Sequence, residues 1–264
     1  MPTARRIIGK LTGLDAPRPR PEGHVMRRFV VLGLPRSGST YLMTLLDRHR
    51  DLSCEGEQFN AKGIFHGLNP DKSYKAVIAR DSAPVEHFKG IYEEAAQTGV
   101  WAGGFKFMIG HNISVLKALA EDPELHIIHI WRENRLAQVA SLLKALETSR
   151  WAQIKRDDDT GYKINARPRV VARQWHELET LDFLISQWLG QLSNPILTLE
   201  YRELMRADLP KRLCDFLGVA PDPLMDSPLV KQGANRVLDR FENAGQIEHY
   251  FTEIGRAGWL GEEI

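Results

Sequence analysis

Cysteine is scarce in this chain of 264 residues: Cys54 and Cys214 stand far apart and have no companions. That count and spacing exclude a disulfide framework and a thiolate metal site, leaving the expectation of two reduced thiols in a cytoplasmic protein. Long apolar runs are missing too. No stretch approaches the roughly 20 residues of a membrane-spanning helix. Arg5, Arg6 and Lys10 are followed by no apolar core segment or small-residue cleavage site, so a signal peptide is not expected. Net charge is close to nil, at +1, which argues against a nucleic-acid partner and requires any anion site to be local. No internal repeat is apparent. At 43% hydrophobic and 26% charged residues, the composition argues against disorder and suits an α/β chain with an ample core.

The one local imbalance lies at the start. Residues 1–28 carry Arg5, Arg6, Lys10, Arg18, Arg20, Arg27 and Arg28 against Asp15 and Glu22, with Pro17, Pro19 and Pro21 among them. A loosely ordered basic arm is expected there, ahead of a single domain over residues 29–264. Weak attraction of this arm to an anionic membrane surface or an acidic partner is a second reading of the same charge.

The informative stretch is 29–49, FVVLGLPRSGSTYLMTLLDRH. Phe29-Val30-Val31-Leu32 reads as a buried strand. Gly33, Pro35 and Gly38 then break the run, and Leu42, Leu45 and Leu46 return at helical spacing. Strand, glycine-containing loop, helix is the layout that aims backbone N–H groups and a helix N-terminus at an anion, usually a phosphate. Gly33 and Gly38 have Walker A spacing, but Ser39 stands where the Walker lysine should be, and the cation sits earlier, at Arg36. Arg36, Ser37, Ser39 and Thr40 can still add charge and hydroxyls to such a cradle. The plainer alternative is a tight strand-to-helix turn without a ligand.

Further along, Glu55 and Glu57 lie two residues apart in a polar segment, 51–60, that reads either as a solvated acidic turn or as an approach to the site carrying a general base. Residues 71–98 read as peripheral helices interrupted at Pro84. Residues 100–108 form a second core strand, with Gly103-Gly104 marking a bulge or close backbone approach; its Lys106 either snorkels from an edge or meets an anion at the strand end. Residues 125–131 form a third strand ending at Arg132, and the helix after it carries Ser141. Ligands in parallel α/β folds bind beyond the carboxyl ends of strands, where a guanidinium fork and a hydroxyl can hold a second phosphate. A helix is expected from about Pro168 with Val171, Trp175, Leu178, Leu181 and Leu184 inward, then a strand at 195–199 and a helix over 201–217 capped by Gly218. The tail beyond residue 223 reads as polar.

Pro35 to Thr40 after the first strand, and Arg132 through Ser141 after a later one, resemble the two nucleotide-binding motifs of sulfotransferases. The likeness is closest to bacterial carbohydrate sulfotransferases of the nodulation-factor and trehalose-glycolipid kind, through Glu57-Gln58-Phe59, through Gln138-Val139-Ala140-Ser141, and through Trp151 downstream. The resemblance implies an α/β fold with a P-loop-like central parallel sheet flanked by helices. It implies sulfuryl transfer to a carbohydrate or glycolipid hydroxyl from 3′-phosphoadenosine 5′-phosphosulfate (PAPS), which leaves as adenosine 3′,5′-bisphosphate (PAP), with no metal. Carried over by position, Arg36, Ser37, Gly38, Ser39 and Thr40 would hold the 5′-phosphosulfate, Arg132 and Ser141 the 3′-phosphate, Glu57 would be the base, and Lys106 would contact the transferred group.

Two departures from the family pattern stand out. Nine residues separate Arg132 from Ser141, one more than in the familiar cytosolic enzymes, so Arg135 competes with Arg132. The tail has no Arg-Lys-Gly cluster, for which Lys231 or Arg236 are the substitutes to consider. A P-loop kinase or triphosphatase, and a non-catalytic nucleotide-binding module, are the alternatives. Trp101, Trp151 and Trp175 are each open to sugar stacking or to core filling.

Overall fold

The computed structural model describes residues 16–152, 161–229 and 233–264. Its centre is strand β1, Arg27–Gly33, whose apolar run is buried on both sides. Burial on both faces is what an interior parallel strand meets. Around it lie β2 (Leu52–Glu57), β5 (Ala102–Met108), β6 (His126–Trp131) and β7 (Ile196–Glu200), all parallel, in the order β2-β5-β1-β6-β7. A small antiparallel pair, β3 (Ile64–His66) and β4 (Asn69–Asp71), stands apart. The chain leaves β1 toward one edge and returns to its other side at β6, so the carboxyl ends of β1, β5 and β6 flank the point where strand order reverses. Open α/β sheets bind ligands at such a point.

Helices cover both faces. On one, α1 (Ser39–Asp47) and α7 (Leu209–Leu217) close over Phe29, Val31, Ile128 and Leu199. On the other, α3 (Pro84–Gln97), α4 (Ile113–Ala120), α5 (Arg135–Thr148) and α6 (Pro168–Leu189) close over Val30, Leu32, Phe105 and Ile127. Each large side chain so buried stabilises by about 1.5–3 kcal/mol. The expected fold class is therefore the observed one. Among the described residues the remaining α-helices are α2 (Tyr74–Ser82) and α8 (Ala244–Glu253).

Several local expectations change. The polar segment after α1 is an edge strand, β2: Leu52 and Cys54 face the α1 core, and Asp51 is buried, accepting from the Arg18 N–H at 2.7 Å. The helical stretch is interrupted at Pro84 as expected: one helix ends at Ser82, and Pro84 starts α3, as its fixed φ allows at a first turn. Gly103 and Gly104 mark a close approach, since a Cβ on Gly104 would lie 2.5 Å from Phe29. The helix expected over 201–217 divides into a 3-10 turn, Tyr201–Met205, and α7, because Pro210 can sit only in a helix's first turn. Gly218 caps α7 with φ 65°, as expected. In α6 the buried stripe is Val171, Trp175, Leu178, Asp182, Ile185 and Leu189, whereas Leu181 and Leu184 are exposed.

Of the basic arm, residues 1–15 lie outside the described residues. Its second part is not loose. Arg18 pairs with Asp51 and donates to the carbonyls of Ala220 and Pro221, and His24 packs on Trp101, whose indole N–H donates to Arg18. Trp101 is therefore an anchor for the arm, and Trp175 is a core residue against Phe251 and Trp259. Among the described residues no helix is long and apolar enough to cross a membrane.

Candidate active site

The loop after β1 turns twice through left-handed backbone, at Arg36 (φ 63°) and Gly38 (φ 98°). Glycine is required at 38 for a second reason: a Cβ there would lie 2.4 Å from Leu204 and 2.9 Å from Tyr201. Gly38 is the N-cap of α1 and brings no side-chain cap, so the first N–H groups of the helix point outward unclaimed by a capping side chain. Arg36 is a non-glycine residue in a conformation that costs roughly 1–2 kcal/mol. It is held there from outside, since its carbonyl accepts from Arg132 NH1 at 2.8 Å and its Nε donates to Ser141 Oγ at 2.8 Å.

These contacts bring the two sequence motifs into one cavity of about 340 Å³, with Arg36, Gly38, Ser39, Thr40, Arg132, Ser141 and Trp151 in its lining. Ser37 is the exception. It is fully buried, and its hydroxyl donates to the Leu34 carbonyl at 2.8 Å, so it shapes the loop from within. Trp151 is the one of the three candidate tryptophans that lines the cavity, and its carbonyl accepts from Arg36 NH1 at 2.5 Å. Burial, and next the nearby Arg132, lower the Arg36 guanidinium to about 10, which still leaves it a cation at neutral pH.

Arg132 and its rival Arg135 point to opposite sides. Arg132 is buried with its Nε and NH2 on Glu263 Oε1, at 2.6 and 2.5 Å, and stacks 4.1 Å from the Tyr201 ring centroid. Arg135 instead pairs with Asp182 of α6 and with Gln138, away from the cavity. The tail supplies a further cation that sequence reasoning missed: Arg240 lines the cavity and reaches Glu263 Oε2 at 2.9 Å. Burial alone would raise Glu263, but Arg132 and Arg240 outweigh it and hold the carboxyl low. Arg236, one of the two expected substitutes, is exposed and paired with Asp239, and Lys231 lies outside the described residues. The signal for Arg240 was its setting among Val237, Leu238 and Phe241, all buried.

Glu57 and Lys106 meet by way of a bulge. Glu55 registers with Phe105, yet Glu57 registers with Lys106, so two residues of β2, Gly56 and Glu57, stand against one of β5. The alternation that would put both glutamates on one face is broken. Glu55 serves the β3–β4 turn by accepting from Gly67 N–H at 3.2 Å, and Glu57 turns to the α1 face. Lys106 does not snorkel; β5 is an interior strand, and the buried ammonium donates at 2.7 Å to both Glu57 Oε1 and Thr40 Oγ1. Thr40 also lines the cavity, so the pair sits at its border. Asn60 and His111 complete the surroundings of Glu57 Oε2, at 2.5 and 3.5 Å. Because the Met108 N–H donates to His111 Nδ1, Nε2 is the nitrogen that carries the proton toward Glu57. Burial pushes the Glu57 carboxyl up, but Lys106, His111 and Asn60 outweigh it and hold it far below the usual carboxylate range.

A strand-loop-helix anion cradle with three arginines beside an ionised carboxylate fits several group-transfer chemistries. The family model described as "Sulfotransferase family" matches residues 28–223, well over half of the chain. The chain belongs to the sulfotransferase family. Two curated relatives, both called Nodulation protein H and both from Rhizobium meliloti, are 25% and 26% identical to this sulfotransferase over 218 and 220 residues. The matches cover 80% and 81% of this chain and 85% and 86% of theirs. Among solved structures, a sulfotransferase from Alicyclobacillus acidocaldarius aligns at a TM-score of 0.49 with 14% identity, over 89% of this chain and 98% of that one. Membership of that family makes this chain an enzyme of sulfuryl transfer.

Proposed function

We propose that the donor is PAPS and that the acceptor is a hydroxyl on a carbohydrate or glycolipid. One observation carries the donor reading: Arg36, Arg132, Arg240 and the uncapped N-terminus of α1 converge on a single cavity. Such a set suits a ligand bearing two separated phosphoryl-type groups. PAPS supplies an activated sulfuryl group on its 5′ side and a 3′-phosphate that distinguishes it from ATP. Arg36, Gly38, Ser39 and Thr40 are placed for the former, and Arg132, Ser141 and Arg240 for the latter; Ser37 supports the loop from behind. The acceptor reading rests on the resemblance of the Glu57 and Gln138–Ser141 segments to nodulation-factor enzymes and on the name of the curated relatives.

Glu57 acts as the general base. Held ionised, it accepts the acceptor hydroxyl's proton as the oxygen attacks sulfur. Lys106, joined to both Thr40 and Glu57, places positive charge between the donor loop and the base, where charge on the transferring group develops. Arg36 adds a second cation from the loop. None of these steps draws on a metal. The two buried thiols agree with a cytoplasmic setting, and the basic arm, residues 1–28, remains the segment proposed for weak contact with an anionic membrane.

The test is incubation with labelled PAPS and a panel of carbohydrate and glycolipid alcohols, with the label located by mass spectrometry. Acceptor-dependent release of PAP is expected. Binding of ATP with magnesium in preference to PAP would favour a kinase-like reading, and PAP binding without product would favour a non-catalytic module.

A further inference from the structure

A carboxylate occupies a core position of the longest helix. Asp182 takes the place in the buried stripe of α6 where the spacing from Leu178 to Ile185 calls for an apolar residue. It is there for Arg135, whose NH2 it binds; Arg135 NH1 in turn donates to Gln138 Oε1 at 2.8 Å. Gln138, fully buried on α5, donates from Nε2 to the carbonyl of Pro35 at 2.8 Å. The amide can take only this orientation, because a guanidinium has no acceptor and a carbonyl has no donor. An unbroken line of buried polar groups thus runs from α6, on the outside of the molecule, to the loop between β1 and α1.

The end of that line is the informative part. Pro35 immediately precedes Arg36, the left-handed non-glycine residue of the loop. Its carbonyl and that of Arg36 are each held by a side chain from the segment after β6, Gln138 for one and Arg132 for the other. Two consecutive carbonyls bound to the protein are two acceptor dipoles kept off an incoming anion. A loop without these holds could turn a carbonyl toward the cavity and oppose a phosphate with a negative dipole.

We infer that Gln138 is a positioning residue for the donor loop, which fixes the Pro35 carbonyl and is itself fixed by the Arg135–Asp182 pair. The inference rests on the reading of this loop as the donor site. Gln138 lies behind the loop and does not line the cavity, so it acts through Pro35 and Arg36.

PAP titrated by calorimetry into the native enzyme and into Gln138→Met, Gln138→Glu, Asp182→Asn and Arg36→Ala, each well below its own unfolding temperature, tests this. Gln138→Met removes both bonds without adding charge. Gln138→Glu keeps an acceptor for Arg135 but cannot donate to Pro35, and it carries the test if the methionine variant does not fold. About 10-fold weaker PAP binding is expected for either Gln138 variant, with a lower kcat at saturating donor, and a smaller loss for Asp182→Asn. A glutamine with only a structural role would lower the unfolding temperature and leave PAP affinity and saturating kcat unchanged; that result overturns the inference. Arg36→Ala separates the two levels. If it loses PAP while the Gln138 variants keep native affinity, the positioning role alone fails; if it too binds PAP normally, the donor-site reading fails.

Discussion

At the β1–β6 end of the cleft, charge is held by redundancy. Arg36, Arg132 and Arg240 line one cavity, Glu263 ties two of them together, and the loop carbonyls are pinned by side chains from the following motif. At the β2–β5 end it is held by register: one bulge at Gly56 sets Glu57 against Lys106, and that single pair joins the proposed base to the proposed donor loop through Thr40. The first arrangement tolerates loss of a member by degrees, and the second turns on one carboxylate. Substitutions at the two ends should therefore fail differently, in binding at one and in turnover at the other.

The largest effect is expected from Glu57→Gln. Gln keeps an oxygen for Lys106 but cannot accept the acceptor's proton, so kcat should fall about 10²- to 10⁴-fold while PAP affinity measured by calorimetry stays within about 2-fold. Preserved turnover would remove the base from Glu57. Arg36→Ala should act at the other end, weakening PAP by about 100-fold, near 2.7 kcal/mol, as expected for charge-assisted bonds to an anion. Near-native affinity would break the contrast between a binding end and a turnover end.

Lys106→Met tests the join. With its cation gone, burial, which raises a carboxyl, is opposed only by the hydrogen bonds from His111 and Asn60. The acid limb of kcat/KM against pH should therefore move upward from its native position, with kcat near neutral pH down about 10-fold. The native enzyme should show no Glu57 limb near neutrality. Since breaking a buried ion pair costs about 3–5 kcal/mol, the profile has to be read well below the variant's unfolding temperature. An unmoved limb would mean that Lys106 does not set the ionisation of Glu57.

The same contrast governs what the sequence revealed. The β1 loop was legible because strand, loop and helix are contiguous, and Ser39 in the Walker lysine position is visible in a single line of residues. Glu57 is set apart from Glu55 as the candidate base only by family resemblance. By alternation alone Glu55 and Glu57 are equals, and it takes the register with β5, a segment some fifty residues on, to separate them. β2 itself was hidden because an edge strand needs few apolar residues, here Leu52 and Cys54. Arg135 against Arg132 was undecidable for a similar reason: the partner that draws Arg135 away, Asp182, sits in a helix whose simple apolar pattern hides it. Contiguous physics reads from sequence; pairing between distant segments does not.

Ser141→Ala gives the smallest expected effect and the finest division between the two ends. Its hydroxyl oxygen accepts from Arg36 Nε, so this residue of the second motif orients the cation of the first. The hydroxyl hydrogen remains available for a phosphate oxygen. Losing one such bond is worth about 1 kcal/mol, or roughly 5-fold in affinity. If that loss falls on PAP and spares adenosine 5′-phosphate, Ser141 reads the 3′-phosphate. If both nucleotides weaken equally, its work is done through Arg36, and the two motifs form one shared clamp in place of two separate phosphate sites. Competitive titration of the two nucleotides against the variant decides between these, and kcat at saturating donor should stay within about 2-fold in either case because Glu57 is untouched.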